Sequence, residues 1–276
     1  LLVKSGEVEM LGKDFSVKGM EDLQKESALE ALQRLGISVG LRLNEHRLDR
    51  LLRRHLHPFK IAEVVGEAAT GKTLFCYTLV AETLASTSDN EIIFWIDSNG
   101  SFRPSTLVEI YERRSRKDAA KEAILERVFV HSPLDADSLI RSLKAIEPLV
   151  SKTGRSVPLI VVDTIAGILG PSSWSLREGG LQQQEAMARS LGRLKTSLRT
   201  TIVVTNRVVS GLGDHAPRVA LGRFWNQAIS ERILLRRIDT TSLDASLLSK
   251  EGAVTFPSFE TATFRLGNYG IADYSK

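Results

Sequence analysis

The sequence predicts an α/β fold: a mostly parallel central sheet flanked by helices, with antiparallel strands at its C-terminal end. Two observations carry that reading. After Pro58 short apolar runs alternate with amphipathic stretches, the rhythm of strands joined by crossover helices. A glycine-containing turn follows the first of these runs and opens directly onto a helical pattern, the strand–turn–helix order of a βα unit. Strands are expected at 61–65, 92–97, 127–130, 159–163, 202–205 and 232–238, with helices at 72–84, 106–114, 136–150 and 181–198 between them. Two further short strands, 253–256 and 263–266, are expected to close the sheet.

The chain upstream reads differently. Residues 1–43 are polar and charged, with Met20, Leu23, Leu29, Leu32 and Leu35 at near-helical spacing before Gly36, and are expected to form a helical N-terminal extension to a core of 44–276. From Asn44 a second amphipathic helix runs through Leu48, Leu51 and Leu52. Arg47, Arg50, Arg53 and Arg54 fill the rest of its surface, read as a solvated face, with a DNA patch as the alternative.

Composition narrows the classes. With 276 residues, 42% hydrophobic and 25% charged, the chain can bury a substantial core. The net charge of +4 suits an anionic partner without requiring one. A single cysteine, Cys76, cannot form an internal disulfide, which points to a reducing compartment, cytosol or nucleus. Its place on the first helix beside Phe75, Tyr77 and Leu79 predicts a packing thiol. No apolar run approaches the roughly 18 residues of a membrane span, so no membrane partner is expected.

The segment Gly66-Glu67-Ala68-Ala69-Thr70-Gly71-Lys72-Thr73 fits the phosphate-loop pattern and leads into the helix at Leu74. Its glycines let the backbone curl so that successive amides and the helix N-terminus face an anion. ATP with Mg2+ is the expected cofactor: Lys72 would reach the β and γ phosphates, and Thr73 would ligate magnesium. Asp163, ending the apolar run from Leu159, supplies the carboxylate that holds such an ion from a neighbouring strand.

Four segments in the same order resemble the eukaryotic RecA-like recombinases, and more closely their divergent paralogues. They are the phosphate loop, Phe94-Trp95-Ile96-Asp97-Ser98-Asn99-Gly100-Ser101-Phe102-Arg103-Pro104, Val161-Val162-Asp163-Thr164, and Ile202-Val203-Val204-Thr205-Asn206-Arg207-Val208-Val209. The run Ala220-Leu221-Gly222-Arg223-Phe224-Trp225 up to Arg236-Arg237 resembles the paralogues' closing segment, so the match spans about residues 44–272. The resemblance implies a RecA-like ATPase core that binds single-stranded DNA and assembles with related subunits in homologous recombination and double-strand break repair, in the nucleus.

Three positions depart from the family pattern. Asn99 stands where the family has an acid that activates water; an amide orients water without accepting its proton. Arg207 stands where Gln senses the γ phosphate, and either phosphate or the DNA channel is open to it. Arg53-Arg54 replaces a Gly-Gly pair, so the loop before the first strand is expected to differ. The resemblance also implies DNA-binding loops at 170–180, with Trp174 and Arg177, and at 208–223, with Arg218 and Arg223. Phe15 is the candidate subunit anchor, although Lys18 stands where a small residue is expected. Three roles stay open: a mediator ATPase with slow hydrolysis, a non-catalytic interaction subunit stabilised by nucleotide, and an active strand-exchange recombinase.

Overall fold

Strand periodicity sorts the apolar side chains onto the two faces of one sheet. In the strand 92–97, Ile92, Phe94 and Ile96 join one buried cluster while Ile93 and Trp95 join the other. Leu159 and Val161 part from Ile160 and Val162 in the same way, as expected of strands covered on both sides. The computed structural model describes residues 40–115, 119–174, 178–209, 218–248, 261–267 and 270–272. The expected extension up to residue 39, with Phe15 and Lys18, and the expected strand 253–256 lie outside the described residues.

The described elements are α1 (His46–Leu52), β1 (Ile61–Gly66), α2 (Lys72–Ser86), β2 (Glu91–Asp97), α3 (Pro104–Arg114), α4 (Lys121–Leu125), β3 (Val128–His131), α5 (Ala136–Thr153) and β4 (Ser156–Asp163). They continue with α6 (Ile165–Trp174), α7 (Glu178–Ser197), β5 (Thr201–Val209), β6 (Arg218–Val219), α8 (Gly222–Ala228), β7 (Glu231–Arg237), β8 (Ser242–Leu247), β9 (Thr261–Gly267) and β10 (Gly270–Ala272). The sheet order is β10-β9-β8-β7-β1-β5-β4-β2-β3, with β6 paired to β5. From β7 to β3 neighbouring strands are parallel, and β8 to β10 add antiparallel strands.

Local signals explain the helix boundaries. Glu45 caps α1 by accepting from the Leu48 amide, Pro104 opens α3 where its missing N–H costs nothing, and Asp135 with Ser138 forms a capping box on α5. Leu48, Leu79 and Leu107 pack on one face of the sheet; Leu143, Met187 and Leu191 pack on the other.

The expectation of an irregular stretch at 170–180 is corrected. α6 continues to Trp174 and α7 begins at Glu178. Burial of Ile165, Ala166, Ile168 and Leu169 holds the helix through a segment whose Gly, Pro and Ser content reads as loop. The stretch 208–223 is also more ordered than expected at its ends, because β5 runs to Val209, β6 pairs back on it and α8 starts at Gly222. β8 and β10 were not anticipated either.

One buried polar cluster ties the sheet centre together. Glu63, fully buried in β1, pairs with the Arg232 guanidinium from β7. Its Oε1 accepts from Trp225 Nε1 of α8 and from Asn206 Nδ2 of β5, each at 2.7 Å. Removing one partner strands the other's charge in the core. Glu63→Ala is therefore expected to lower unfolding free energy by about 3–5 kcal/mol, and Glu63→Leu with Arg232→Met to recover part of that loss, read by denaturant titration.

Candidate nucleotide site

The carboxyl ends of β1, β5, β4 and β2 are neighbours, so the segments that follow them share one edge of the sheet. Gly66 to Lys72 leave β1 there, Asp163 closes β4, Asn99 follows β2, and Arg207 lies opposite Gly66 in the β5 register. All the residues expected to hold nucleotide and magnesium are thus brought together.

The loop's shape depends on its glycines. A Cβ on Gly66 would stand 2.6 Å from the Leu235 carbonyl oxygen and 2.4 Å from Thr70 Oγ1. Gly71 sits at φ 78° and caps α2 with no side-chain hydrogen bond, and the first turn of α2 holds no acidic residue. A helix N-terminus left this way keeps its free amides and positive dipole end available to an anion. Thr70 Oγ1 donates to the Glu67 carbonyl at 2.9 Å, bracing the turn. Lys72 Nζ reaches back to the carbonyls of Gly66 and Glu67 at 2.9 and 2.6 Å. Burial lowers its pKa from the ordinary lysine value, while the Asp163 carboxylate opposes that shift.

The magnesium side is equally built. Thr73 Oγ1 donates to Asp163 Oδ2 at 2.7 Å, and Thr205 Oγ1 donates to Asp163 Oδ1. Ser101 Oγ lies 3.5 Å from Oδ2. A hydroxyl and a carboxylate in contact, beside an uncapped helix and a lysine, are the donor set for a divalent ion bridging a polyphosphate. The residues present therefore fit a nucleoside triphosphate with Mg2+.

Asn99 is exposed and its Oδ1 accepts from the Ser101 amide at 3.0 Å, so its side chain closes the turn after β2. Buried Asp97 anchors the same turn, accepting from the amides of Ser101 and Phe102 at 3.0 and 2.9 Å. Burial pushes the Tyr77 phenol up to about 12 and so keeps it neutral, while its oxygen accepts from the Arg103 amide. Cys76 is buried, with its thiol pushed well up by burial, as a packing group.

The DNA candidates are less gathered. Arg218 is exposed on β6, Trp174 ends α6, and Arg223 lies in the first turn of α8. Arg177 lies outside the described residues. Two contributors escaped the sequence: Thr205, which lies within a quoted segment but meets Asp163 only through the β4–β5 neighbourhood, and Arg237, whose guanidinium donates to the Ala69 carbonyl of the loop. Neither has a local signature.

Gly66→Ala puts a methyl against a backbone carbonyl that cannot swing aside. It is expected to cost roughly 1–3 kcal/mol in thermal or denaturant unfolding.

The family model described as Rad51 matches residues 35–229. Among similar proteins, "DNA repair protein RAD51 homolog 4" of Bos taurus is 28% identical over 204 residues, covering 72% of this chain and 61% of the relative. The Mus musculus protein of the same description is 27% identical, with 68% and 58% covered. The chain thus spans about three fifths of the length of these two relatives. "RAD51-like protein 1" of Caenorhabditis briggsae is 30% identical over 229 residues, covering 82% of this chain and 87% of the relative. With a RecA-like sheet, its phosphate loop in place and a family match over most of its length, the chain belongs to the Rad51 family.

Proposed function

We propose that this chain is an ATP-binding, DNA-binding recombinase paralogue that acts in homologous recombination and DNA double-strand break repair. It works in the nucleus as a mediator beside related subunits and hydrolyses ATP slowly. The observation that carries this reading is the uncapped start of α2 behind Gly66 and Gly71, with Lys72 inside the turn and Thr73 against Asp163. The names of the relatives, a DNA repair protein and a RAD51-like protein, support the pathway.

ATP with magnesium supplies a phosphoanhydride whose γ phosphoryl can pass to water. The amides of 67–73 and the end of α2 would hold its phosphates; Lys72 would neutralise their charge; Thr73 and Asp163 would hold the metal ion. Thr205, bonded to Asp163, keeps that carboxylate turned toward Thr73. At the neighbouring turn the Asn99 amide, whose oxygen braces the loop at Ser101, takes no proton from water. A missing general base typically removes about 10²- to 10⁴-fold in rate. Binding therefore outlasts hydrolysis, and nucleotide acts as a conformational signal to the segment after β5.

On the purified chain, Lys72→Ala is expected to abolish binding of a fluorescent ATP analogue. Asn99→Glu is expected to raise turnover about tenfold or more. Brisk DNA-stimulated hydrolysis in the unmodified chain, with no gain from Asn99→Glu, contradicts the slow-hydrolysis reading. Replacing Trp174, Arg177, Arg218 and Arg223 with Ala together is expected to weaken single-strand binding and flatten its log–log salt slope by about 2, three cations at ~0.7 each. An unchanged slope removes these residues from the DNA contact.

A further inference from the structure

Arg47 and Arg50 on α1, and Arg53 and Arg54 in the turn that follows it, are all exposed. Arg47, Arg50, Arg53, Arg54, His55 and Thr261 line one groove of about 540 Å³. Among the described residues, no acidic side chain lines it. The carboxylates nearest in sequence turn away: Glu45 is buried and caps α1, and Asp49 accepts from the Leu43 amide at 2.7 Å. Glu231, which faces His55, is shared with Lys60 at 2.6 Å. Arg50, Arg53 and Arg54 make no ion pair among the described residues. Among the described residues, like charges gather here at helical spacing with no acidic side chain in the lining, an arrangement that repels itself and favours an anionic ligand.

The groove also has a definite place. β7 runs parallel to β1, β8 antiparallel to β7, and β9 antiparallel to β8, so β9 runs with β1. Thr261 opens β9 and Glu231, bonded to His55, opens β7. The arginines therefore sit at the amino ends of the strands, across the sheet from the phosphate loop and roughly 20 Å away, the length of a six-residue strand. Arg53 ends α1 at φ −48° and ψ −32°, so the helix closes without the Gly-Gly pair and presents guanidiniums instead.

We propose that this groove is a second nucleic-acid site, which grips the phosphodiester backbone of duplex DNA independently of sequence and of the nucleotide edge. Planar guanidinium forks match phosphate oxygens in pairs. Arg47 and Arg50 lie about 4.5 Å apart along α1, with Arg53 and Arg54 in the turn beyond, and duplex DNA carries a charge about every 1.7 Å along its axis, so several phosphates face the groove at once. Among the described residues no Phe, Tyr or Trp lines it, and the guanidiniums there suit contact with the backbone.

The test is fluorescence anisotropy with a labelled duplex of mixed sequence across a salt series. The triple variant Arg50→Ala, Arg53→Ala, Arg54→Ala is expected to bind duplex about tenfold more weakly. Its log–log salt slope should be shallower by about 2 to 3, close to 0.9 for each phosphate that is no longer neutralised. Binding of a labelled single strand and of a fluorescent ATP analogue should stay unchanged, each read in its own titration, so failure of the proposed nucleotide function would be seen separately. The triple Arg→Lys variant, with unaltered melting, is expected to keep most of the duplex affinity. Unchanged duplex affinity and slope in the alanine variant overturns the proposal. So does an equal loss of single-strand binding, or competition by poly-glutamate as effective per charge as by duplex.

Discussion

The central strand carries a carboxylate where a sheet of this kind ordinarily carries an aliphatic side chain. Glu63 lies three residues before the phosphate loop, completely buried, and is acceptable there only because Arg232, Trp225 and Asn206 all donate to it. Those donors come from β7, α8 and β5, so one side chain fixes the mutual position of three elements that arrive late in the chain. Asn206 extends the constraint, accepting from the Arg207 amide at 2.8 Å and donating to the Ala220 carbonyl at 3.1 Å. The two ends of the 208–223 segment are held to the strand that delivers Gly66, with β6 folded back on β5 between them.

A second carboxylate completes the arrangement. Asp163 holds Thr73 with one oxygen and Thr205 with the other, bridging the start of α2 to the same strand, β5, that carries Asn206. Whatever shifts Thr73 pulls on Asp163 and through it on β5. This gives the proposed nucleotide switch a physical route of two hydrogen bonds rather than a long relay, and the route has a direction, from the loop toward Arg207 and Arg218. Asn99 stands beside this path, where its side-chain oxygen braces the turn at Ser101, an arrangement compatible with the proposed switch.

Much of this was legible because it is local. The parallel strands announce themselves as apolar runs, and β1, β2 and β4 begin within a few residues of their expected positions. The phosphate loop is readable for the same reason: close backbone approach demands glycine at Gly66 and Gly71 within one short segment. What escaped was set by partners far away in sequence. α6 looked like loop because Gly170, Pro171 and the serines break helices in isolation, while the burial of Ile165 and Leu169 against the sheet is invisible locally. β8 reads as a polar, serine-rich stretch and becomes a strand by pairing between β7 and β9.

The proposed switch requires that nucleotide be felt beyond its own loop. Hydrogen–deuterium exchange of the full chain, with and without magnesium and a slowly hydrolysed ATP analogue, tests this most directly. The account predicts slowed exchange at 66–73 and also along 201–209 and 218–228, the segments tied to Asp163 and Glu63. Protection confined to 66–73, with β5 and α8 unchanged at saturating nucleotide, would contradict it.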